Sequence, residues 1–547
     1  MESSKKNEVL VQAGILAAAS IVVRIIGLLY RSPLTAIIGD EGNGYYGTAY
    51  NIYTIILLIS SYSVPSAISK IMAQKMAMGQ YRGAQRVFHA ALVYNIIVGT
   101  VCGLFLYFGA GLLVPKSCVP VLRVFAPTIF LFGILGALRG YYQARGSMVQ
   151  TSVSQIFEQI MNAVISIAAA AFLMHLAAGE SSSVQAGYGA IGSALGTGSG
   201  VVTALLIMAF CYFRDRGDFL KAVRLDKTHD TEPFPHIMKE TVLVITPFIL
   251  SSFILNLTTS LNQTIFMKIM IDAKDLEEVA ITTIYGIFSN KAVVITNIPI
   301  SIATAVSAAI IPSISASFAR GNREDTAQRA ENAKWMTMLI ATPCAGGLIF
   351  LGRPIMMLLF PQKQSLQTAS MLLMLLAVTV IFYSVSTITN AVLQSIGKMA
   401  LPLVSAGIAL VIQTLLLVAL LNFTDMGIYT LVLASVIYSV MIFVMNEFFL
   451  KKYLDIKTDI MRMFVKPVLS SIVMGICARG IYEVIYNGLG LAGVSREYFR
   501  NLFAAAPAIL AAVIVYFAVM LKIKGIRKED IRLLPKSNVL LKILYRE

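Results

Sequence analysis

Long apolar stretches separated by short polar ones account for most of this chain of 547 residues. The apolar stretches show no alternation of period two, so they predict membrane-spanning helices and not the strands of a barrel. Because a helix needs about twenty apolar residues to cross a bilayer, we predict about fourteen spans. They lie near 11–38, 46–73, 87–114, 119–142, 151–177, 187–213, 240–270, 281–318, 333–360, 367–396, 400–423, 427–450, 463–487 and 498–521.

The first apolar stretch could be taken for a secretory signal, since it follows Lys5 and Lys6 and contains Ala17-Ala18-Ala19-Ser20, which resembles a cleavage site. It is longer than the apolar core of such a signal, and Arg24 interrupts it. We therefore predict that this stretch is retained as the first membrane span.

The composition agrees with a membrane protein: 57% of the residues are hydrophobic and only 13% are charged. A soluble domain carries roughly a quarter charged residues, so most of this surface must face lipid. The net charge of +16 does not indicate nucleic-acid binding, because the lysines and arginines occupy short loops between the apolar stretches. The five cysteines show no metal-ligand spacing.

The basic residues follow the even-numbered spans, whereas the loops after odd-numbered spans are poor in cations and often acidic. Cytoplasmic loops of membrane proteins carry such an excess of lysine and arginine. We therefore predict a multi-pass protein of the cytoplasmic membrane, with both termini in the cytoplasm. The basic residues that support this orientation are Lys75, Arg82, Arg86, Arg145, Arg214, Arg216, Lys221, Arg224, Lys227, Arg320, Arg323, Lys398, Lys451, Lys452 and Lys457.

Three short motifs of the first half recur, in order, in the second half. Tyr46-Gly47-Thr48-Ala49-Tyr50-Asn51 returns as Tyr285-Gly286-Ile287-Phe288-Ser289-Asn290. The other pairs are Gly79 with Gly321, followed by Gln85-Arg86 and Gln328-Arg329, and Gln143 to Met148 with Gln394 to Met399. Matches in register predict an internal repeat of six spans, and an even number of spans makes the two copies parallel.

The predicted fold is therefore all-α and integral to the membrane, with two parallel six-helix repeats around a central cavity and two additional C-terminal helices. We expect an N-terminal six-helix lobe at 1–213, a cytoplasmic linker at 214–239 and a C-terminal six-helix lobe at 240–452. The two additional transmembrane helices then occupy 453–523, and a basic cytoplasmic tail occupies 524–547.

Charges inside the spans are the most informative positions, because a charge at the bilayer centre costs about 2.5–3.5 kcal/mol on insertion scales. Arg24 lies deep in the first span, and its spacing places it on one helix face with Ser20, Gly27, Arg31 and Thr35. A cationic stripe on an apolar helix predicts a cavity, although pairing with a buried carboxylate or snorkelling would also accommodate these arginines.

Other polar residues extend the candidate site. Substrate-binding candidates besides Arg24 and Arg31 are Lys291, Asn51, Asn290 and Arg139. Glu158, which sits on a polar helix face with Gln155, Gln159 and Asn162, is a candidate for ion coupling or a partner for an arginine, and Asn262 is a second coupling candidate. Because these intramembrane charges are mostly cationic, they favour an anionic substrate, and arginine in particular suits phosphate.

The sequence gives no sign of an enzyme. It contains no metal-ligand cluster, no Gly-rich phosphate loop and no nucleotide-binding domain, so we predict neither a catalytic site nor a cofactor nor a metal. Transport would then depend on an ion gradient, the membrane potential or the substrate gradient.

Several motifs resemble the multidrug/oligosaccharidyl-lipid/polysaccharide exporter superfamily. They are Arg24-Ile25-Ile26-Gly27 before Tyr30-Arg31, and the segment from Ser63-Val64-Pro65-Ser66-Ala67-Ile68-Ser69 to Gly79-Gln80-Tyr81-Arg82. The second resembles the polysaccharide-exporter branch, which includes lipid II flippases and the stage V sporulation protein B group. The resemblance covers essentially the whole chain and implies two lobes around a cationic cavity that work by alternating access.

The resemblance also implies a substrate of the undecaprenyl-pyrophosphate type that carries a sugar, and Arg24 matches the cavity arginine of the first helix. The chain departs from the family's pattern elsewhere. The family's second arginine of the first helix would fall at Tyr30, whereas this chain has Arg31 one place later. Some flippases of the family carry an arginine in the second span, but this chain has no basic residue in 52–58. Asn262 stands where many relatives have an aspartate.

We therefore expect a flippase for a lipid-linked cell-wall precursor, with lipid II as the leading substrate. The expected partners are that lipid-linked oligosaccharide or peptidoglycan precursor, membrane lipid and the cell-wall synthesis machinery, with a monomer as the working form and no nucleic acid. Four alternatives remain: a flippase for capsule or teichuronic-acid precursors, a cation-coupled drug exporter, a membrane enzyme, and a non-transporting scaffold.

Overall fold

The computed structural model describes Ile15 and residues 19–62, 64–226, 228, 233–455 and 459–526, and these residues contain helices and turns but no β-strand. The helices are α1 Ala19–Leu29, α2 Arg31–Leu57, α3 Val64–Ala77, α4 Tyr81–Leu113, α5 Val119–Ala144, α6 Val149–Leu176, α7 Ser182–Leu225, α8 Phe234–Met267, α9 Glu278–Gly286, α10 Val293–Ala319, α11 Arg323–Phe350, α12 Gly352–Leu359, α13 Leu366–Ser395, α14 Ala400–Phe423, α15 Tyr429–Leu454, α16 Lys466–Leu491 and α17 Glu497–Lys522.

Short π-helical turns join some of these helices. They lie at Leu58–Tyr62, Lys268–Ala273, Ile287–Ala292 and Met461–Val465. The predicted basic tail falls almost entirely on 527–547, outside the described residues, and the cytoplasmic placement of both termini lies outside them as well.

The all-helical membrane fold is confirmed, but the count of fourteen spans is not. Among the described residues, eleven helices are long and apolar enough to cross a membrane, and twelve if the bent pair α1–α2 forms one span. Part of the difference falls at the first two predicted spans, since α2 contains the end of one and the start of the next. The chain is nonetheless a multi-pass membrane protein.

The first span is broken, which corrects the prediction of one continuous polar stripe from Ser20 to Thr35. α1 and α2 meet at Tyr30 with a bend of 45°. Pro33 explains the break, because its ring lacks an N–H and clashes with the carbonyl four residues earlier. Thr35 is buried in the structure, so it does not share the surroundings of Arg24.

Gly39 separates the first two spans inside α2. Its φ of 70° and ψ of −179° are not helical, so α2 consists of two helical segments, 31–38 and 40–57. A positive φ is a conformation that glycine adopts at little cost. The turn predicted between the spans at 11–38 and 46–73 is therefore a one-residue break at Gly39.

The repeat motifs fold alike. Gly79 and Gly321 both have a φ of +76°, and Gly146 and Gly397 have φ values of +75° and +78°. Each glycine ends a helix in a Schellman turn, in which its own N–H and that of the next residue donate to carbonyls of the last turn. The matching backbone conformations support the internal repeat predicted from these motifs.

The described residues form two compact units. One comprises 1–290 with 414–428, and its core is built around the rings of Phe88, Phe125 and Tyr141. The other comprises 291–413 with 429–547, where α16 and α17 pack with Trp335 and Tyr516. α7 continues through 214–225, so the first half of the predicted linker is helical.

Candidate functional site

Arg24 and Arg31 lie on either side of the break between α1 and α2. Arg24 is exposed and Arg31 is half-buried, and no carboxylate of the described residues forms an ion pair with either guanidinium. The two arginines are therefore cations available to an anionic ligand.

α6 packs against α1 at Gly27, which lies between the two arginines in the sequence. A Cβ placed on Gly27 would stand 3.3 Å from Nε2 of Gln159, so the missing side chain at Gly27 lets the two helices approach. Arg24 is three residues before Gly27, almost one helical turn away. The amide of Gln159 is thus placed beside the first cation.

The two faces of α6 differ sharply. The apolar side chains at spacings of four, three and four residues are exposed, as expected for a face in lipid, whereas the polar side chains are half-buried. Polar groups facing hydrocarbon would cost free energy, so the polar face must line a polar space. The apolar set is Val153, Phe157, Ile160 and Val164, and the polar set is Gln155, Glu158, Gln159 and Asn162.

Glu158 is paired with Arg139 from α5. Nη2 of Arg139 donates to Oε2 of Glu158 at 2.6 Å, and Nε of Arg139 donates to Oγ of Ser154 at 3.1 Å. The exposed fractions are 6% for the arginine side chain and 23% for the glutamate side chain. The structure thus gives Arg139 a carboxylate partner, while its predicted role in substrate binding and that of Glu158 in ion coupling stay predictions.

A cluster of four aromatic rings borders the polar face. Tyr46 stacks on Tyr50 with ring centres 5.6 Å apart, and Tyr53 stacks on Phe125 at 4.7 Å. The ring of Tyr50 also lies 5.9 Å from those of Tyr53 and Phe125. Tyr46, Tyr53 and Phe125 are buried, so Tyr50 is the ring of the four that remains partly accessible.

The repeated asparagines form hydrogen bonds where α2 crosses α8 and α9. Nδ2 of Asn51 donates to Oε1 of Gln263 at 2.9 Å and to the hydroxyl of Tyr285 at 3.1 Å. Nδ2 of Asn290 donates to the carbonyl of Asn43 at 2.7 Å. Both amides therefore hold helices together, and their contact with substrate stays a prediction, as does ion coupling at the buried Asn262.

Lys291 is buried in the π-helical turn between α9 and α10. Its Nζ donates to Oγ of Ser365 at 2.8 Å and to Oε1 of Gln362 at 3.1 Å, and it lies 5.6 Å from the ring centre of Phe360. These polar and aromatic partners accommodate the charge within the second unit. Its predicted contact with substrate is untested.

Sequence reasoning missed one buried charge cluster. Lys334 on α11 is fully buried, and its Nζ lies 2.7 Å from Oε1 of Glu331 and 3.0 Å from Oε2 of Glu447 on α15. Lys334 and Glu447 lie within predicted spans but near their ends, where such residues usually reach water. Their position within the predicted spans 333–360 and 427–450 was the feature of the sequence that could have identified them as buried charges.

No group of three or more metal-ligating side chains occurs among the residues that the structure describes. The model of the family described as "Polysaccharide biosynthesis protein" matches residues 9–318, which is more than half of the chain. The model of the MatE family matches residues 247–419.

Two curated relatives are from Bacillus subtilis (strain 168). The "Lipid II flippase MurJ" is 25% identical over 429 residues, which are 75% of this chain and 76% of the relative. "Stage V sporulation protein B" is 24% identical over 531 residues, which are 95% of this chain and 96% of the relative.

Solved structures show the same fold. "Lipid II flippase MurJ, inward closed conformation" has a TM-score of 0.66 at 16% identity, and the match covers 92% of this chain and 97% of that one. An inward-facing multidrug resistance MATE family transporter of the MOP superfamily has a TM-score of 0.58 at 17% identity, with 79% and 95% covered. The chain therefore belongs to the polysaccharide biosynthesis protein family, within the multidrug/oligosaccharidyl-lipid/polysaccharide exporter superfamily.

Proposed function

We propose that this protein is a flippase that moves a lipid-linked, pyrophosphate-bearing glycan precursor across the cytoplasmic membrane, with lipid II as the leading substrate. The observation that carries the proposal is the pair of arginines on α1 and α2, neither of which has a carboxylate partner among the residues that the structure describes. A guanidinium binds phosphate through two parallel hydrogen bonds, which a buried counter-ion would otherwise occupy.

The surroundings of the arginines support the same class of substrate. The polar face of α6 and the aromatic rings near it supply hydrogen-bonding groups and ring surface that suit a polar headgroup, while the exposed apolar face of α6 suits lipid. A prenyl chain would remain in the bilayer as the headgroup crosses. A cation-coupled drug exporter fits less well, because the one glutamate of this polar face is already paired with Arg139.

The names of the relatives agree with this proposal at the level of substrate class. One relative is a lipid II flippase, and this chain matches 76% of its length. At 25% identity the headgroup need not be the same, so lipid II and the capsule or teichuronic-acid precursors are outcomes of the experiment. Two predicted features belong to the same proposal: alternating access between two six-helix lobes, and cytoplasmic termini.

The test is reconstitution of the purified chain in liposomes that contain lipid II in one set and an undecaprenyl-pyrophosphate-linked oligosaccharide in another. The fraction of lipid accessible to an external modifying enzyme is followed over time. Arg24→Ala should slow the wild-type flipping rate by about tenfold or more, since a charge-assisted hydrogen bond contributes about 1.5–3 kcal/mol. Arg24→Lys should flip lipid faster than Arg24→Ala but more slowly than the wild type, because lysine keeps the positive charge and lacks the planar guanidinium group.

The matched control is Arg123→Ala, since Arg123 is also an exposed arginine of the same unit and stacks on Tyr107. This control should flip lipid at the wild-type rate. Accessibility that never exceeds that of protein-free liposomes, for both lipids, would reject a flippase. An Arg24→Ala variant as fast as wild type would reject the role of this arginine.

A further inference from the structure

The polar face of α6 carries side-chain amides that take no part in the ion pair of Arg139 with Glu158. Within the described part of the chain, the side-chain amides of Gln155 and Gln159 form no hydrogen bond, although both residues are half-buried. Asn162 accepts at Oδ1 from Ser166 at 3.0 Å and from Thr197 at 3.4 Å, and its Nδ2 donates to no described residue.

Two features place these amides where a ligand would lie. They occupy the half-buried face of α6, opposite the apolar face that meets lipid, so membrane lipid chains do not account for them. Gln159 also stands beside Gly27, close to Arg24. Whatever occupies this space meets a cation and a row of uncharged donors and acceptors together.

Tyr50 adds an apolar surface to the same space. Its ring is fixed by stacking on Tyr46 and by contacts with Tyr53 and Phe125, so it loses little side-chain freedom when a ligand binds. The hydroxyl of Tyr46, the ring on which Tyr50 stacks, lies 3.2 Å from Oγ1 of Thr197. Thr197 in turn donates to Oδ1 of Asn162 at 3.4 Å, so the stacked rings lie near the polar face of α6. A rigid, partly accessible ring beside free amides is a suitable surface for the C–H face and the hydroxyl groups of a sugar.

We propose that Tyr50 and Gln159 form a subsite for the pyranose attached directly to the pyrophosphate of the transported lipid. Gln159 bonds its hydroxyl or acetamido groups, and Tyr50 packs against its ring. The inference rests on the proposed function and deepens it, because it assigns the sugar and the pyrophosphate to different residues. In such lipids the first sugar follows the pyrophosphate, and Gln159 likewise neighbours Arg24.

The experiment measures binding of two probes to the full chain in lipid nanodiscs. One probe is undecaprenyl pyrophosphate, and the other is the same lipid with a single N-acetylhexosamine. The wild type should bind the sugar-bearing lipid about fivefold more tightly or better, which corresponds to one or two net hydrogen bonds. Gln159→Leu and Tyr50→Leu should each abolish most of this preference and leave the affinity for undecaprenyl pyrophosphate unchanged.

Three further variants distinguish loss of sugar binding from loss of pyrophosphate binding and from a general effect on folding. Arg24→Ala should weaken both probes by the same factor. Tyr50→Phe keeps the ring and should keep the preference. Gln185→Leu is the matched control, because it makes the same substitution in the first turn of α7, where Gln185 bonds the carbonyl of Glu180.

The outcomes distinguish this inference from the proposed function. A wild type that binds both probes equally, or a Gln159→Leu variant that weakens both probes to the same extent, would overturn the sugar subsite while leaving a pyrophosphate-binding flippase intact. A wild type that binds neither probe would overturn the proposed function and the subsite together. Loss of the preference in Tyr50→Leu and its retention in Tyr50→Phe would support the subsite.

Discussion

At the residue scale, the pair of Arg139 and Glu158 shows how this protein tolerates charge among apolar helices. Removing one partner of a buried pair leaves the other uncompensated and costs about 3–5 kcal/mol, whereas replacing both by apolar residues of similar volume is often nearly neutral. We therefore expect Glu158→Leu to lower the thermal unfolding temperature in detergent, and the double variant Arg139→Met with Glu158→Leu to recover much of the loss.

The measurement is a double-mutant cycle on the unfolding temperature, with Arg139→Met as the second single variant. Equal and additive losses for the two singles would contradict the pairing. Because the test monitors unfolding and not transport, it stays separate from the candidate role of Glu158 in ion coupling. A flipping rate that changes in Glu158→Gln without a change in unfolding temperature would favour that role.

At the element scale, the crossing of α2 and α9 depends on Gly44 and Gly286. A Cβ on Gly44 would lie 2.5 Å from the carbonyl oxygen of Thr282, and one on Gly286 would lie 2.4 Å from Cα of Gly44. Both contacts are with backbone, which cannot rotate away as a side chain can. We expect Gly44→Ala and Gly286→Ala each to destabilise the protein by about 1–3 kcal/mol, as overpacking generally does.

Gly187→Ala provides the control for these two variants, because a Cβ at Gly187 in α7 would meet nothing within 4 Å. Alanine favours helix over glycine by about 1 kcal/mol, so this variant should unfold at the wild-type temperature or above it. Unfolding at the wild-type temperature in Gly44→Ala and Gly286→Ala would show that the helices do not approach this closely.

The helices also show which features of the fold can be predicted from the sequence. Runs of apolar residues were enough to predict an all-helical membrane fold, because bilayer thickness fixes the length of a spanning helix, but they did not give the number of spans. Pro33 marked the break at Tyr30, although periodicity alone suggested a continuous stripe. The pairing of Lys334 with Glu447, which are 113 residues apart, needs the packing of α11 against α15 and could not be predicted from local pattern. Arg24, in contrast, was selected from local pattern, by its depth in the span and its helix face, and its contact with substrate stays a prediction.

At the scale of the whole molecule, α7 offers a test of the predicted orientation. It runs over 44 residues, from Ser182 to Leu225. At about 1.5 Å per residue it is roughly twice as long as the hydrocarbon core of about 30 Å is thick. Its two ends therefore lie on opposite sides of the membrane. By the positive-inside rule, the basic residues of 214–224 predict that its C-terminal end lies in the cytoplasm.

Single cysteines at the two ends of α7 decide this orientation. Glu180 and Asp218 are both exposed acidic residues, and the five native cysteines are free, so a cysteine-free background can be made without breaking a disulfide. A membrane-impermeant maleimide should label Glu180→Cys in intact cells, and Asp218→Cys only after permeabilisation. The reverse pattern would place the basic loops outside. Because the termini are predicted on the same side as the basic loops, that pattern would also contradict their placement in the cytoplasm, and the acidic loops would then face a substrate that arrives from the cytoplasm.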